Sequence, residues 1–363
     1  MTSSERAAIV RPDTRVAVVG GYTEPEADPG RVGVELWTHD ARDRAWRRVA
    51  ETVASQPSWL VDLGDGRLLA VGEGDPSTLG LVRVASDGGA PSLELDDVLA
   101  LSGVAACHAA VAGRFAVVAH YGSGSVSSVR LDPAGRPTEE VDHLAFSGSG
   151  PDAERQEAPH AHQVVVDGEE VLVADLGSDR VHRLGLDGDG RLRTRHDPIE
   201  LPAGFGPRHV VRTGELLVVA GELSNELWLG RVAGPDVEPL DVAPLDPPGA
   251  DGAAYPSALR VDADGLLWTG VRGPDTVAVH RIAGDRLVAV ASAPTGGRWP
   301  RDVVVDGEEV WVTNQLSQDV TVLDRAAVLA GAGAAVRTRL ASAAPTAVVL
   351  VGRGARPSTS SAG

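Results

Sequence analysis

His162, Arg208, Glu222 and Arg272 are side chains whose types suit chemistry on an anion. An imidazole can move a proton, a carboxylate can take or anchor one, and two guanidiniums can bind an anionic group and stabilise developing negative charge. Intervals of 46, 14 and 50 residues separate the four, so no local motif joins them. Only a repeating fold can bring them to one place.

The sequence contains such a repeat. Six segments, beginning at Pro57, Cys107, Ala161, Pro207, Pro256 and Pro300, share one form: a short apolar strand, a tight turn, a second apolar strand, a polar turn and a third strand. The residues that follow these openings are Ser58, His108, His162, Arg208, Ser257 and Arg301, at intervals of 50, 54, 46, 49 and 44. A second aligned position, at the end of the second strand, holds Glu73, Tyr121, Leu176, Glu222, Arg272 and Gln315, 13 to 15 residues after the first. That interval fits a hairpin of about six residues out and six back, which returns the chain to the end it left. A period of 40 to 50 residues built from short strands predicts an all-β propeller.

A seventh repeat is split between the termini. PTAVVLV from Pro345 matches a first strand, with Thr346 at the first position, and RVAVVGGYT from Arg15 supplies the second strand, with Tyr22 at the second position. Strands near Val34 to Trp37 and Trp46 to Val49 complete it. One C-terminal strand thus closes the ring with N-terminal strands, leaving no open sheet edge. The expected organisation is one seven-bladed domain over residues 1–352, followed by a disordered tail over 353–363.

In a propeller the first strands line the axis, so the two aligned positions become two rings at one end of the channel. Thirteen of the fourteen positions are polar or tyrosine, within strands that are otherwise apolar. Besides the four residues above, the rings offer His108, Glu73, Tyr121, Gln315 and Arg301 for substrate binding, with Arg298 and the loop bearing Arg155 and Gln156 as an outer wall.

Composition narrows the function further. A net charge of −18 argues against nucleic acid, whose binding requires a basic face. All 33 basic residues are arginine, which removes the lysine of phosphate-binding loops and of Schiff-base chemistry. The single cysteine precludes an internal disulfide, and residues 1–15 lack the basic and apolar pattern of a secretory signal, so a cytoplasmic protein is expected. The small-residue stretch Ala326 to Val336 is about half the roughly 20 residues a membrane span needs.

Other candidate motifs carry less. His160 and His162 could be two metal ligands, but no third completes the set, so neither metal nor cofactor is expected. LDGDGRL from Leu186 and VDADGL from Val261 lack the closing glutamate of a calcium loop and read as turns. Gly20-Gly21 and Gly296-Gly297 lack the strand, helix and acidic residue of a dinucleotide site. Strand alternation places Cys107 opposite His108, as a small buried residue, and turns His209 away from the axis.

Longer phrases carry a family resemblance across nearly the whole chain: GGYTE at Gly20, YGSGSV at Tyr121, GSGPDAERQEAPHAHQVVVD from Gly148, VADLGSDRV at Val173, GPRHVV at Gly206, GELSNEL at Gly221, YPSALRV at Tyr255 and GGRWPRD at Gly296. In these the sequence resembles bacterial lactonases of the cycloisomerase-type 6-phosphogluconolactonase group, related to a fungal carboxymuconate lactonising enzyme. The resemblance implies a catalytic His162, substrate-binding Arg208 and Arg272, and a catalytic carboxylate at Glu222. We expect hydrolysis of a small anionic sugar lactone, 6-phosphogluconolactone foremost, by water activated at Glu222 with His162 transferring the proton, without a cofactor and in a monomer or weak homodimer. Glycine, histidine and valine at Gly72, His120 and Val271, where the family commonly has asparagine, put the substrate in question more than the fold. A cycloisomerase using the same groups, or a propeller that only binds a protein or small anion, are the alternatives.

Overall fold

The computed structural model describes residues 15–24, 33–40, 45–85, 91–247, 249, 252–331, 333 and 336–351. The tail expected over 353–363 lies outside them. Within them, 28 strands form seven four-stranded antiparallel sheets, and the one helix, Arg325–Leu329, is five residues long.

Each sheet is a blade, numbered here by the position of its inner strand in the chain. The inner strands are Pro57–Gly64, Ala106–Ala112, Ala161–Asp167, Pro207–Thr213, Tyr255–Val261, Pro300–Asp306 and Pro345–Val351, for blades one to seven. Each packs beside the next and the seventh beside the first, which makes a closed ring. Blade seven has the expected split: Pro345–Val351 pairs with Arg15–Gly21, followed by Gly33–Asp40 and Ala45–Val53. Arg15 ties this junction to blade six through Glu309.

Apolar second and third strands fill the gaps between blades. Leu172, Val181, Val219 and Trp228 join blades three and four, and Trp268, Val279, Val312 and Leu323 join blades five and six. Trp268 and Trp311 are fully buried, and truncating such a residue costs about 3–5 kcal/mol. Continuous apolar runs such as VLVA and VWVT follow from this burial on both strand faces.

Two local devices set the height of the site. In six blades a β-bulge near the start of the inner strand leaves its second residue out of the ladder, and in blade five the irregularity leaves out Ser257 and Ala258. In six blades the residue just after the second strand donates its N–H to the carbonyl just before the inner strand, as in Glu222 N to Gly206 O (2.8 Å) and Tyr121 N to Ala105 O (2.9 Å). Gln56, Ala105, Gly206, Trp299 and Ala344 adopt positive φ at that preceding position. These bonds hold the two aligned residues of each blade at one end of the channel.

Candidate active site

The register corrects one member of the inner ring. Ala106, not Cys107, opens the inner strand of blade two, because Ala106 pairs with His120 as Pro57 pairs with Gly72 and Ala161 with Asp175. Cys107 therefore stands with Ser58, His162, Arg208, Ser257, Arg301 and Thr346, and His108 lies one residue deeper. The spacing from Cys107 to Tyr121 becomes 14, matching His162 to Leu176 and Arg208 to Glu222.

Glu222 is the electrostatic centre of the mouth. It is 3% exposed, receives Arg155 Nη2 on Oε1 at 2.8 Å, and holds Arg208 and Arg272 on Oε2, the latter at 3.0 Å. Burial alone would raise its carboxyl pKa, but Arg272 and Arg208 outweigh burial, with the Arg155 bond adding to them, and hold it well below the ordinary carboxylate value. Glu222 is thus a fixed anion.

Arg272 is clamped from three sides. It donates to the carbonyls of Tyr255 and Pro256, both at 3.1 Å, and lies over the rings of Trp299 and Tyr255 at 5.5 and 5.9 Å. Burial, with Arg208 and Arg301 nearby and Glu222 opposing, brings it down to about 9. Arg208 keeps a buried Nε with no hydrogen-bond partner, a donor left over beside the carboxylate.

His162 completes this sector. Its ring meets Tyr121 at 5.5 Å and His209 at 6.0 Å, and its Nδ1 lies 3.8 Å from Cys107 Sγ. Burial, reinforced by Arg208, holds the imidazole well below its usual range, so it is neutral at pH 7. Cys107 donates to the carbonyl of His162 at 3.2 Å, and burial pushes its thiol up. It is buried as expected, but in the ring.

Across the channel Arg301 donates to Tyr22 Oη (2.7 Å), and Tyr22 donates to Glu73 (2.6 Å). Gln315 borders this side with a buried Oε1 that has no partner. Arg298 is exposed at the rim. The hydroxyls of Ser58, Ser257 and Thr346 bond to backbone carbonyls, and Leu176 is fully buried.

Three expectations need correction. His209 does not point away from the axis: its ring meets Trp59 and His108, both at 5.7 Å, and residues of blades one, two and four can meet only in the channel. The bulge breaks the alternation on which that expectation rested. His108 is part of this deeper layer; its Nδ1 accepts from Val164 N at 3.4 Å, an architectural bond between blades two and three. Gln156 is fully buried, donating to Leu176 O and Asp179 Oδ1, so it braces the loop and does not line the mouth. The residue that loop delivers is Arg155, which reaches Glu222 and, at 3.4 Å, Tyr121 Oη.

His160 is no metal partner for His162, since its Nδ1 lies 2.9 Å from the carbonyl of Tyr121 while its ring stacks on that side chain. No helix among the described residues is long and apolar enough to cross a membrane.

Comparison with known proteins agrees with this fold. The family described as Lactonase, 7-bladed beta-propeller matches residues 16–349. The 6-phosphogluconolactonase of Bacillus subtilis is 27% identical over 333 residues, covering 85% of this chain and 91% of that protein. A 6-phosphogluconolactonase of Formosa agariphila is 27% identical over 228 residues, 59% of this chain and 64% of that one. The solved periplasmic gluconolactonase of Pseudomonas aeruginosa superimposes with a TM-score of 0.82 at 23% identity, covering 93% of this chain and 99% of that one. The chain belongs to the seven-bladed β-propeller lactonases, enzymes that hydrolyse lactones.

Proposed function

We propose that the channel mouth hydrolyses a sugar lactone to its acid, with 6-phosphogluconolactone as the leading substrate. One observation carries the substrate class. Arg155, Arg208, Arg272 and Arg301 meet Glu73 and Glu222, so the mouth holds a formal excess of two positive charges in a chain of net charge −18. Such an excess favours an anionic substrate. The names of the Bacillus and Formosa relatives point to the same class.

In the mechanism we infer, neutral His162 takes a proton from water as the water oxygen bonds to the lactone carbonyl carbon. Arg208 and Arg272 stabilise the negative charge that develops on the carbonyl oxygen. Collapse breaks the ring C–O bond, and His162 returns its proton to the ring oxygen, leaving a hydroxyl and a carboxylic acid that ionises. In this reading Glu222 is not the base that activates the water. Its oxygens are engaged by three guanidiniums, which favours an anchoring role, aligning Arg208 and Arg272, with the base at His162. A bound phosphate offsets Arg208 and Arg301, which raises the basicity of His162. Tyr121, Glu73, Gln315, Arg298 and Arg301 surround the remaining substrate, while His108 and Gln156 support from behind.

The test is hydrolysis of 6-phosphogluconolactone, unphosphorylated gluconolactone and cyclisation of a muconate-type diacid by the purified chain. The reading expects the first to be fastest and Glu222→Gln to lower its kcat/KM by about 10²-fold or more. Turnover of the diacid alone would favour the cycloisomerase, and turnover of none the binding protein. We also propose a cytoplasmic monomer or weak homodimer, to be checked by cell fractionation and by sedimentation.

A further inference from the structure

Blade two carries a second cluster of chemistry-bearing side chains, at its contact with blade one and away from the guanidinium site. His120 ends the second strand, Ser127 lies on the third strand, Ser125–Leu131, and Glu140 and His143 lie on the outer strand, Pro137–Ala145. One donor atom from each of His120, Glu140 and His143 lies within 4.8 Å of the other two. Among the described residues this is the one such group of three.

A single hydroxyl bonds to all three side chains. Ser127 Oγ is 2.8 Å from His120 Nε2, 2.5 Å from Glu140 Oε1 and 3.1 Å from His143 Nδ1. A hydroxyl has one proton to donate, and the carboxylate is the strongest acceptor of the three. Both imidazoles must therefore turn an N–H toward the same oxygen. Moving each imidazole proton to its other ring nitrogen, which for His120 faces Ser77 Oγ, frees three ligand atoms that converge on one cation.

The surroundings suit that exchange. Glu140 Oε2 is held by Ser102 N at 3.0 Å and Ser102 Oγ at 2.7 Å, and His120 Nδ1 lies 3.3 Å from Ser77 Oγ. Outer partners of this kind orient ligating carboxylates and imidazoles. His120 is buried, while His143 is exposed on the outer strand and gives an ion a way in. Corresponding positions lack the set: Asp175 of blade three meets one imidazole, His182, and Asn314 of blade six meets Asp319 and Thr321.

We propose that His120, Glu140 and His143 bind a divalent transition ion of the zinc class, with Ser127 or water as the fourth ligand. Two imidazoles and a carboxylate select such an ion over magnesium or calcium, which take oxygen ligands. The ion staples the outer strand of blade two to its second strand and fixes the backbone next to Tyr121. Its role is structural.

The experiment uses the full chain, freed of metal with a chelator and titrated with Zn²⁺, Co²⁺ or Mg²⁺ by calorimetry and thermal unfolding. One equivalent of Zn²⁺ is expected to bind and raise the unfolding midpoint, Co²⁺ to give an absorption spectrum of imidazole ligation, and Mg²⁺ to do neither. His143→Ala and Glu140→Gln should weaken Zn²⁺ binding by about tenfold or more, while His39→Ala leaves it unchanged. Absence of stoichiometric Zn²⁺ binding overturns the site, as does binding that survives His143→Ala or is lost with Cys107→Ser, which would put the ion in the channel.

Discussion

Two layers of the channel lie one residue apart in sequence and do different work. The mouth layer contains Cys107, His162, Arg208 and Arg301, with Glu222 and Arg272 beside them. Arg155, Arg208 and Arg272 converge on Glu222, and Arg208 Nε is left without a partner. In the layer below, polar atoms are spent on the backbone of the next blade: His108 Nδ1 on Val164 N, Gln163 Oε1 on Val210 N, His209 Nδ1 on Leu259 N and Asp302 Oδ2 on Val348 N. Trp59 packs among these histidines, and Arg260 crosses between Trp59 and Asp302 to close the floor. Polar residues in a channel thus do not by themselves mark chemistry. What matters is whether their hydrogen bonds are already committed to the architecture.

The comparison is broken most strongly at His162. If the mouth performs the chemistry, His162→Gln lowers kcat by about 10²–10⁴-fold with little change in KM or unfolding midpoint, measured by steady-state kinetics and calorimetry. A parallel loss of stability would move His162 into the architectural layer.

The opposite pattern is expected one layer down. His209→Ala removes packing against Trp59, His108 and His162 and strands Leu259 N–H, so denaturant unfolding should show a loss of about 2–3 kcal/mol. The remaining folded enzyme should keep its KM for substrate.

Acid distinguishes the layers least but tests both. Burial depresses the imidazoles of His108, His162 and His209 below their ordinary 6.5. Below pH 6.5 the unfolded histidines take up protons that the folded ones refuse, so stability present above 6.5 is lost as pH falls. The slope is up to about 1.4 kcal/mol per pH unit for each histidine until its folded pKa is reached. Glu222, also depressed, adds a loss of the same sign below its ordinary 4.5. Denaturation midpoints from pH 7.5 to 5 should fall; a flat profile would mean these histidines are solvated.

The fold was legible because its evidence is periodic. Six repeats at nearly constant spacing, plus one split between the termini, define seven blades and their closure without any knowledge of side-chain contacts. The site was legible to the same depth, since Glu222 with Arg208 and Arg272 follows from register alone. Register failed where blade two opens with Ala106, lacking the proline that marks five of the other six blades, and that slip exchanged Cys107 with His108. His209 was misplaced because a bulge is a backbone event with no residue signature here. Arg155 and Gln156 are neighbours in one loop, and only the fold of that loop, with Asp152 Oδ1 accepting from the backbone of Glu154 and Arg155, sends one to Glu222 and the other inward.

The most direct test is a crystal structure with the product acid, 6-phosphogluconate, bound. The account predicts its carboxylate within hydrogen-bonding distance of Arg208 and Arg272, next to His162, with its phosphate among the remaining arginines of the mouth. Product bound outside the channel, with the Arg208–Glu222–Arg272 cluster undisturbed, would contradict it.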